Sequence, residues 1–159
     1  MAWSATKEFR QTAADIRDGT LTTLDFDAAS MFKVALYNNS ITPDQDVAAA
    51  STAYDTGQWA TANEVYESGQ WAQGGVVLAS NDITTVAGGI VMLDANDTAS
   101  GSAFDGSNIY GCLIYADAVT TPVANQGFAY IYFGGTAFSV TNGTFTIQWA
   151  ATGIWRWQG

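Results

Sequence analysis

The residues with the clearest chemical potential lie in a seven-residue motif that occurs twice. Tyr54-Asp-Thr-Gly-Gln-Trp-Ala60 returns twelve residues later as Tyr66-Glu-Ser-Gly-Gln-Trp-Ala72. Each copy offers an indole ring, Trp59 or Trp71, beside a glutamine amide, and aromatic rings with a few placed polar groups are typical of sugar-binding sites. The alternative is that Trp59 and Trp71 pack glycine turns onto the core or onto a neighbouring subunit. We favour this subunit or loop packing for both tryptophans.

Carboxylates near this motif suggest a second kind of chemistry. Asp55, Glu64 and Glu67 are candidates for glycoside hydrolysis, which needs two carboxyl groups at a defined separation, but nothing in the sequence fixes that separation. Residues 94–105 place oxygen ligands at several spacings of a calcium loop. Ala99, however, stands where the sharp-turn glycine belongs, and the last ligand is Asp rather than Glu. We therefore predict no catalytic residue, no metal site and no cofactor.

The charge pattern removes most other chemistries. The 159 residues include no histidine, and between Val34 and Trp155 there is no lysine or arginine, although that stretch holds ten carboxylates. It therefore lacks an imidazole for proton transfer, an ammonium for Schiff-base formation and a basic face for nucleic-acid phosphates. The net charge of −10 also repels anionic membranes. We expect no enzyme, no nucleic-acid partner and no membrane partner.

The single cysteine, Cys112, lies in the apolar run 109–116. One cysteine forms no disulfide framework and no thiolate metal cluster. We predict a small buried side chain, with a nucleophile as the alternative that lacks a histidine to activate it.

The elements that must position these residues are mainly β-strands. Short β-rich runs are separated by Gly-Gly, Asp-Gly and Asn-Gly pairs, and Asn142-Gly143 in particular predicts a hairpin turn. This spacing predicts a mainly β chain, with a β-sandwich or jelly-roll-like domain over residues 25–159. The predicted strands are Phe32–Tyr37, 76–78, 90–93, 109–115, 128–133, 144–149 and 154–157.

The N-terminal segment differs from this body. The spacing of Trp3, Phe9 and Ile16 predicts an amphipathic helix or arm within residues 1–24, which either folds back on the body or docks elsewhere. Four of the five basic residues lie in the first 33 residues. We therefore assign Trp3, Phe9 and Ile16 to docking on a partner.

One short helix is predicted inside the body, over residues 43–54. Thr42 takes the N-cap position, Pro43 the first helical position and Gln45 the reciprocal position of a capping box. The alanine-rich run that follows has a composition typical of helices.

Several stretches resemble a group of tailed-bacteriophage virion proteins. They are Phe32-Lys-Val-Ala-Leu-Tyr-Asn-Asn-Ser-Ile-Thr-Pro-Asp44, 63–65, 72–76, 110–115 and Gly143-Thr-Phe-Thr-Ile-Gln-Trp149 with Gly153-Ile154. These matches run across roughly residues 30–155, and none is a catalytic signature. The resemblance implies a structural protein of the phage particle, first of all a capsid decoration or cement protein that stabilises the head. It transfers no functional residues, because no site is defined in the family.

The resemblance, the low charge and the aromatic content lead to the same expectation of assembly. We expect a homo-oligomer, a trimer, that binds the major capsid protein or another virion protein. The chain would be synthesised in the host cytoplasm and reside on the virion, at the capsid surface. Two alternatives remain: a tail, neck or head-fibre component, and a carbohydrate-binding adhesion module on the virion surface, for which a glycan would be the ligand.

Overall fold

The computed structural model describes residues 3–159 as a mainly β chain with two short helices. The helices are α1 (Arg10–Arg17) and α2 (Ala49–Thr52), and single 3-10 turns follow at Gly57–Trp59 and Thr61–Asn63. The strands in chain order are β1 (Lys7–Glu8), β2 (Phe32–Tyr37), β3 (Glu64–Val65), β4 (Val76–Val77), β5 (Asp82–Val86), β6 (Ile90–Asp94), β7 (Thr98–Ala99), β8 (Phe104–Ile109), β9 (Gly111–Ala116), β10 (Gly127–Tyr132), β11 (Phe138–Gly143), β12 (Thr146–Ile147) and β13 (Trp155–Gln158). The predicted mainly β class is confirmed.

The largest sheet is antiparallel, with β9 and β2 at its centre. Its order is β1-β10-β9-β2-β3, and β4 also pairs with β2. β2 pairs with β9 along its whole length, from Phe32 opposite Ala116 to Tyr37 opposite Gly111. The predicted strand Phe32–Tyr37 is confirmed at both ends.

Both faces of this central sheet are buried. On one face Phe32, Val34 and Leu36 join the first apolar cluster, and on the other Ala35 and Tyr37 join the second. Alternate side chains along β2 therefore point into two different cores, whereas in a sheet with one solvated face every second side chain would point into solvent. This explains why β2 and β9 are apolar at nearly every position.

Three smaller antiparallel sheets contribute to the first cluster. Their orders are β13-β6-β5, β11-β8 and β12-β7. Leu93, Phe104 and Ile147 are buried in that cluster. The predicted turn at Gly88-Gly89 connects β5 to β6, and both glycines have positive φ, which residues with a Cβ rarely adopt.

The N-terminal segment is not the single helix that the sequence predicts. Residues 3–6 are irregular, Lys7–Glu8 form β1 at the edge of the central sheet, and α1 begins only at Arg10. The Phe9 N–H donates to the Phe128 carbonyl oxygen at 3.0 Å. The open edge of β10 supplies hydrogen-bond partners and places the Phe9 ring in the second cluster, which outweighs the weak preference of a short helix. The described part of this segment therefore lies against the body.

The predicted helix over residues 43–54 is wrong in its extent. Only Ala49–Thr52 is helical, and the residue that precedes it is Ala48, which makes no side-chain cap. The Asp44 N–H donates to the Gln58 Oε1 at 2.8 Å. A side chain from the first copy of the repeated motif thus takes the hydrogen bond that a helix start would have used.

The predicted hairpin at Asn142-Gly143 is also wrong. Both residues lie in β11, which pairs with β8, whereas the next strand, β12, pairs with β7. Asn142 does have the positive φ of 47° that favours an Asn-Gly turn. It adopts this conformation beside a register shift between Val140 and Gly143 in the β11–β8 ladder. The positive φ that favours an Asn-Gly turn therefore accompanies an irregularity within a strand.

Candidate functional site

Trp3, Phe9 and Trp59 form an aromatic cluster on one face of the central sheet. The Trp59 ring centroid lies 5.8 Å from that of Trp3 and 6.0 Å from that of Phe9, both edge-on. The Trp3 indole also donates to the Asn38 carbonyl oxygen at 2.9 Å. All three side chains are at most 1% exposed. The docking role predicted for Trp3 and Phe9 therefore needs correction, because the apolar side of the N-terminal segment packs on its own sheet.

The two copies of the repeated motif lie on opposite faces of the central sheet. Trp59 belongs to the second cluster and Trp71 to the first, and both are 0% exposed. The Trp71 Nε1 donates to the Val34 carbonyl oxygen at 3.1 Å, whereas the Trp59 Nε1 has no acceptor among residues 3–159. Neither indole face is open to a sugar ring. Both tryptophans pack loops of this chain onto its own core.

The glutamines of the motif hold neighbouring loops. Gln58 accepts a hydrogen bond from the Asp44 N–H at 2.8 Å and donates to the Asp44 carbonyl oxygen at 3.1 Å. Gln70 accepts one from the Ala103 N–H at 3.1 Å. The amides that sugar binding would need are thus engaged with backbone groups of this chain.

A hydrogen-bonded group of tyrosines around one carboxylate lies next to the motif. The Tyr54 hydroxyl and the Gly74 N–H each donate to a different oxygen of Glu64 at 2.8 Å. The Tyr115 hydroxyl donates to the Gly74 carbonyl oxygen at 2.6 Å, and its ring stacks on that of Tyr54 with centroids 4.9 Å apart. This group is not predicted from the sequence, and the signal for it is Tyr115, the tyrosine that interrupts the apolar strand β9.

Burial dominates the electrostatics of this group. Loss of hydration raises the pKa of Glu64 above its ordinary value of 4.5, although the hydrogen bonds from Tyr54 and Gly74 act in the opposite direction. Burial and the nearby Glu64 carboxylate raise the pKa of the Tyr54 hydroxyl. Through these hydrogen bonds the group joins four segments of the chain, at Tyr54, Glu64, Gly74 and Tyr115.

The other candidate carboxylates also accept hydrogen bonds from backbone N–H groups. Asp55 accepts one at 3.3 Å from the turn that follows it, and Glu67 accepts one from Asp105 at 2.6 Å. In the calcium-like segment 94–105, Asp97 accepts one at 2.9 Å from the chain just after β12. Among residues 3–159 no three His, Cys, Asp or Glu side chains are placed to hold a metal ion.

Cys112 is fully buried in β9, as the sequence predicts. Burial raises the pKa of its thiol, with a weaker opposing effect from a hydrogen bond that the Ile131 backbone donates to the sulfur. A thiol with a raised pKa yields little thiolate, so the side chain is suited to packing and not to nucleophilic attack.

A shallow apolar cleft of about 220 Å³, the Ile16 cleft, lies between α1 and the β13-β6-β5 sheet. Its lining residues are Glu8, Ile16, Arg17, Phe26, Ile83, Val91 and Trp157. The Trp157 Nε1 donates to the two Glu8 oxygens at 3.4 and 3.3 Å. Burial raises the pKa of Glu8, against this hydrogen bond and the positive charge of Arg17. Unlike Trp3 and Phe9, Ile16 is only half-buried and reaches an open surface.

A second depression, of about 370 Å³, lies beside β11 and β12 and is named here the uncharged surface. Its lining residues are Phe133, Phe138, Thr144, Phe145, Thr146, Ile147 and Gln148. Phe138 is 44% exposed, and its ring packs edge-on against Phe133 and Phe145 at centroid distances of 6.2 and 6.4 Å. This surface is not predicted from the sequence: Phe133, Phe145 and Ile147 are assigned only to predicted strands, and Phe138 is assigned to no element. The available signal was the absence of any charged residue from 118 to 155.

These two depressions are candidate contact sites. None of the helices within residues 3–159 is long and apolar enough to cross a membrane. Comparisons of this chain with protein-family models, with curated proteins and with solved structures find no match.

Proposed function

We propose that this chain is a structural protein of a bacteriophage virion, a capsid decoration protein that stabilises the head. The observation that carries the proposal is a contrast between the candidate site residues, which are already engaged within this chain, and the apolar surface that is open. The side chains suited to sugar binding or hydrolysis are buried or hydrogen-bonded to other groups of this chain, while two shallow depressions offer open apolar surface. Such a protein contributes contacts and no reaction. The sequence resemblance over residues 30–155 supports the same class.

In this role the protein acts mechanically and in many copies. It binds the major capsid protein, or another virion protein, as a homo-oligomer for which we propose a trimer. Apolar surface buried across joints between capsid subunits contributes roughly 25 cal/mol per Å² and opposes the outward pressure of packaged DNA. The net charge of −10 keeps the protein off the DNA itself. The chain is made in the host cytoplasm and resides on the capsid surface.

The proposed attachment site on the capsid is the Ile16 cleft. Its walls are mainly apolar, and Glu8 is already hydrogen-bonded to Trp157. Arg17 lines the cleft, is exposed, and provides one of the five basic side chains of the chain. The chemistry that fits is an apolar side chain of the capsid protein with an acidic residue beside it.

Virions made without this chain test the proposed function. A decoration protein predicts that such particles release DNA at a lower temperature and resist osmotic shock less well, and that added purified protein restores both properties. Unchanged thermal and osmotic resistance would contradict the proposal. Electron microscopy of intact virions with a labelled chain separates the capsid from the tail, the neck or a head fibre, which are the alternative positions.

A pair of variants on α1 tests attachment through the cleft. Ile16→Ser removes a cleft side chain, and Ala14→Ser makes a comparable change at an exposed position of the same helix. We expect Ile16→Ser to weaken binding to particles lacking the chain by about tenfold or more, and Ala14→Ser to leave it unchanged. Thermal unfolding confirms that both variants fold. Equal binding by the two would refute attachment at this site.

Carbohydrate adhesion through the repeated motif gains no support, because Trp59 and Trp71 are both 0% exposed. Binding of the intact protein to a glycan array, lost on exchange of both tryptophans for alanine, would revive that alternative.

For the fold we propose a sandwich-like arrangement, with the central sheet as one layer and the three smaller sheets as the other. The support is the first cluster, which takes side chains from both groups of strands. An experimental structure in which the smaller sheets do not face the central sheet would refute it.

A further inference from the structure

We propose that the uncharged surface is where copies of this chain bind one another. The inference rests on the homo-oligomer of the proposed function and identifies its interface. The occupant of the surface is a second copy of the same chain.

The charge distribution favours this surface for contact between like copies. With a net charge of −10, two copies repel each other over most of their surfaces, and salt screens that repulsion over about 10 Å at 0.1 M. Residues 118–155 contain no Asp, Glu, Lys or Arg, and they include β10, β11 and β12. Two exposed carboxylates do reach this stretch, because Asp105 accepts a hydrogen bond from the Asn142 N–H and Asp97 accepts one from the Trp149 N–H. The residues that line the uncharged surface are themselves all neutral, so two anionic copies approach with less repulsion there than on the carboxylate-bearing remainder of the protein.

The strand edges on this surface are open and lack protection by charged side chains or proline, although β12 is short and β11 is irregular. β11 pairs only with β8 and β12 only with β7 among the described residues. Exposed edges of monomeric proteins usually carry lysine, other charged side chains or proline, which discourage pairing with another chain. Residues 138–149 contain none of these. These edges are therefore suited to association.

The exposed side chains also suit a self-complementary contact. Phe138 contributes an aromatic ring that is 44% exposed. The exposed neutral polar side chains that line the same surface are Thr144, Thr146 and Gln148. Hydroxyl and amide groups both donate and accept hydrogen bonds, so like copies can pair through them, whereas carboxylates facing each other could not. A basic partner would gain more on the carboxylate-bearing remainder of the protein, which is why a second copy is the occupant.

Two matched variants test the surface by sedimentation velocity over a range of protein concentrations. Phe138→Asp places a charge on the uncharged surface, and Tyr66→Asp places the same charge on the other large exposed aromatic residue, which is 46% exposed and lies outside it. We expect a wild-type oligomer that tightens with added salt. Phe138→Asp should raise the dissociation constant by about tenfold or more, and Tyr66→Asp should leave it unchanged.

Three results would overturn the interface. They are a wild-type protein that is monomeric at its highest soluble concentration, an oligomer that Phe138→Asp leaves unchanged, and equal dissociation by Tyr66→Asp. If Phe138→Asp does not fold, Thr146→Glu takes its place, because Thr146 is exposed on β12. We expect that variant to dissociate at low salt and to recover at high salt, and an unchanged mass at low salt refutes the inference.

Binding to particles separates this inference from the proposed function. A wild-type monomer that still binds particles lacking the chain overturns the interface and leaves the virion role standing. An oligomer that Phe138→Asp dissociates but that binds no particle supports the interface and contradicts the virion role. A glycan or a foreign protein that binds the uncharged surface of a monomeric wild type also overturns the inference.

Discussion

Replacing the two tryptophans of the repeated motif by phenylalanine should destabilise the protein by different amounts. Both indoles are 0% exposed, so the two exchanges remove the same volume from buried sites. The surroundings of the two tryptophans differ in the hydrogen bonding of the indole nitrogen, Nε1. The Trp71 Nε1 donates to the Val34 carbonyl oxygen at 3.1 Å, whereas the Trp59 Nε1 is buried with no acceptor among the described residues.

The size of the difference follows from hydrogen-bond energetics. Trp71→Phe loses a buried hydrogen bond that contributes about 1 kcal/mol net, while Trp59→Phe removes an unpaired buried donor whose desolvation costs about 1 kcal/mol or more. The cavity contribution is common to both variants and largely cancels in the comparison. Trp71→Phe should therefore lower the free energy of unfolding by about 2 kcal/mol more than Trp59→Phe.

Urea unfolding monitored by far-ultraviolet circular dichroism measures this difference without relying on tryptophan fluorescence. All proteins are compared at one concentration, because self-association makes apparent stability depend on concentration. Equal m-values would show that the unfolding transitions are comparable. If Trp59→Phe proves as destabilising as Trp71→Phe, or more so, then the unpaired indole nitrogen does not carry the energetic penalty assigned to it.

Three further predictions concern charge and backbone geometry. Because burial raises the pKa of Glu64, its contribution to stability is full below the ordinary value of 4.5 and is lost as pH rises through the folded-state pKa. Urea unfolding at several pH values should therefore show wild type losing stability relative to Glu64→Gln as pH increases, and parallel pH profiles would contradict this. Gly75→Ala should lower the unfolding free energy by at least about 2 kcal/mol more than Gly88→Ala. Both glycines have a φ of 87°, but only a Cβ added at Gly75 would overlap the Val34 carbonyl oxygen. Equal melting temperatures of the two variants would refute this prediction. Arg10→Ala should change the unfolding free energy by less than about 0.5 kcal/mol, because both side chains of its 2.8 Å ion pair are more than half exposed; a larger loss in urea unfolding would show that the pair is part of a wider network.

The features of this protein that follow from local chemistry were predictable from short stretches of sequence. β-branched and aromatic runs between glycine pairs predicted the mainly β class, the bounds of β2 and the turn at Gly88-Gly89. The apolar run around Cys112 predicted its burial. These predictions hold because strand preference, turn conformation and the burial of a continuous apolar run are properties of short segments.

Long-range packing selects the partners that those segments contact. The pattern around Phe9 suits a helix, yet the free edge of β10 draws Lys7–Glu8 into the sheet. The two copies of the repeated motif are nearly identical in sequence, but long-range pairing places Trp59 in one core and Trp71 in the other. Phe145 and Ile147 lie in a predicted strand and Phe138 in none, and only the fold brings the three together along one open depression. Residues far away along the chain supply the hydrogen-bond partners and the burial. The local sequence therefore specifies the chemical character of each side chain, and the fold specifies its contacts and its exposure.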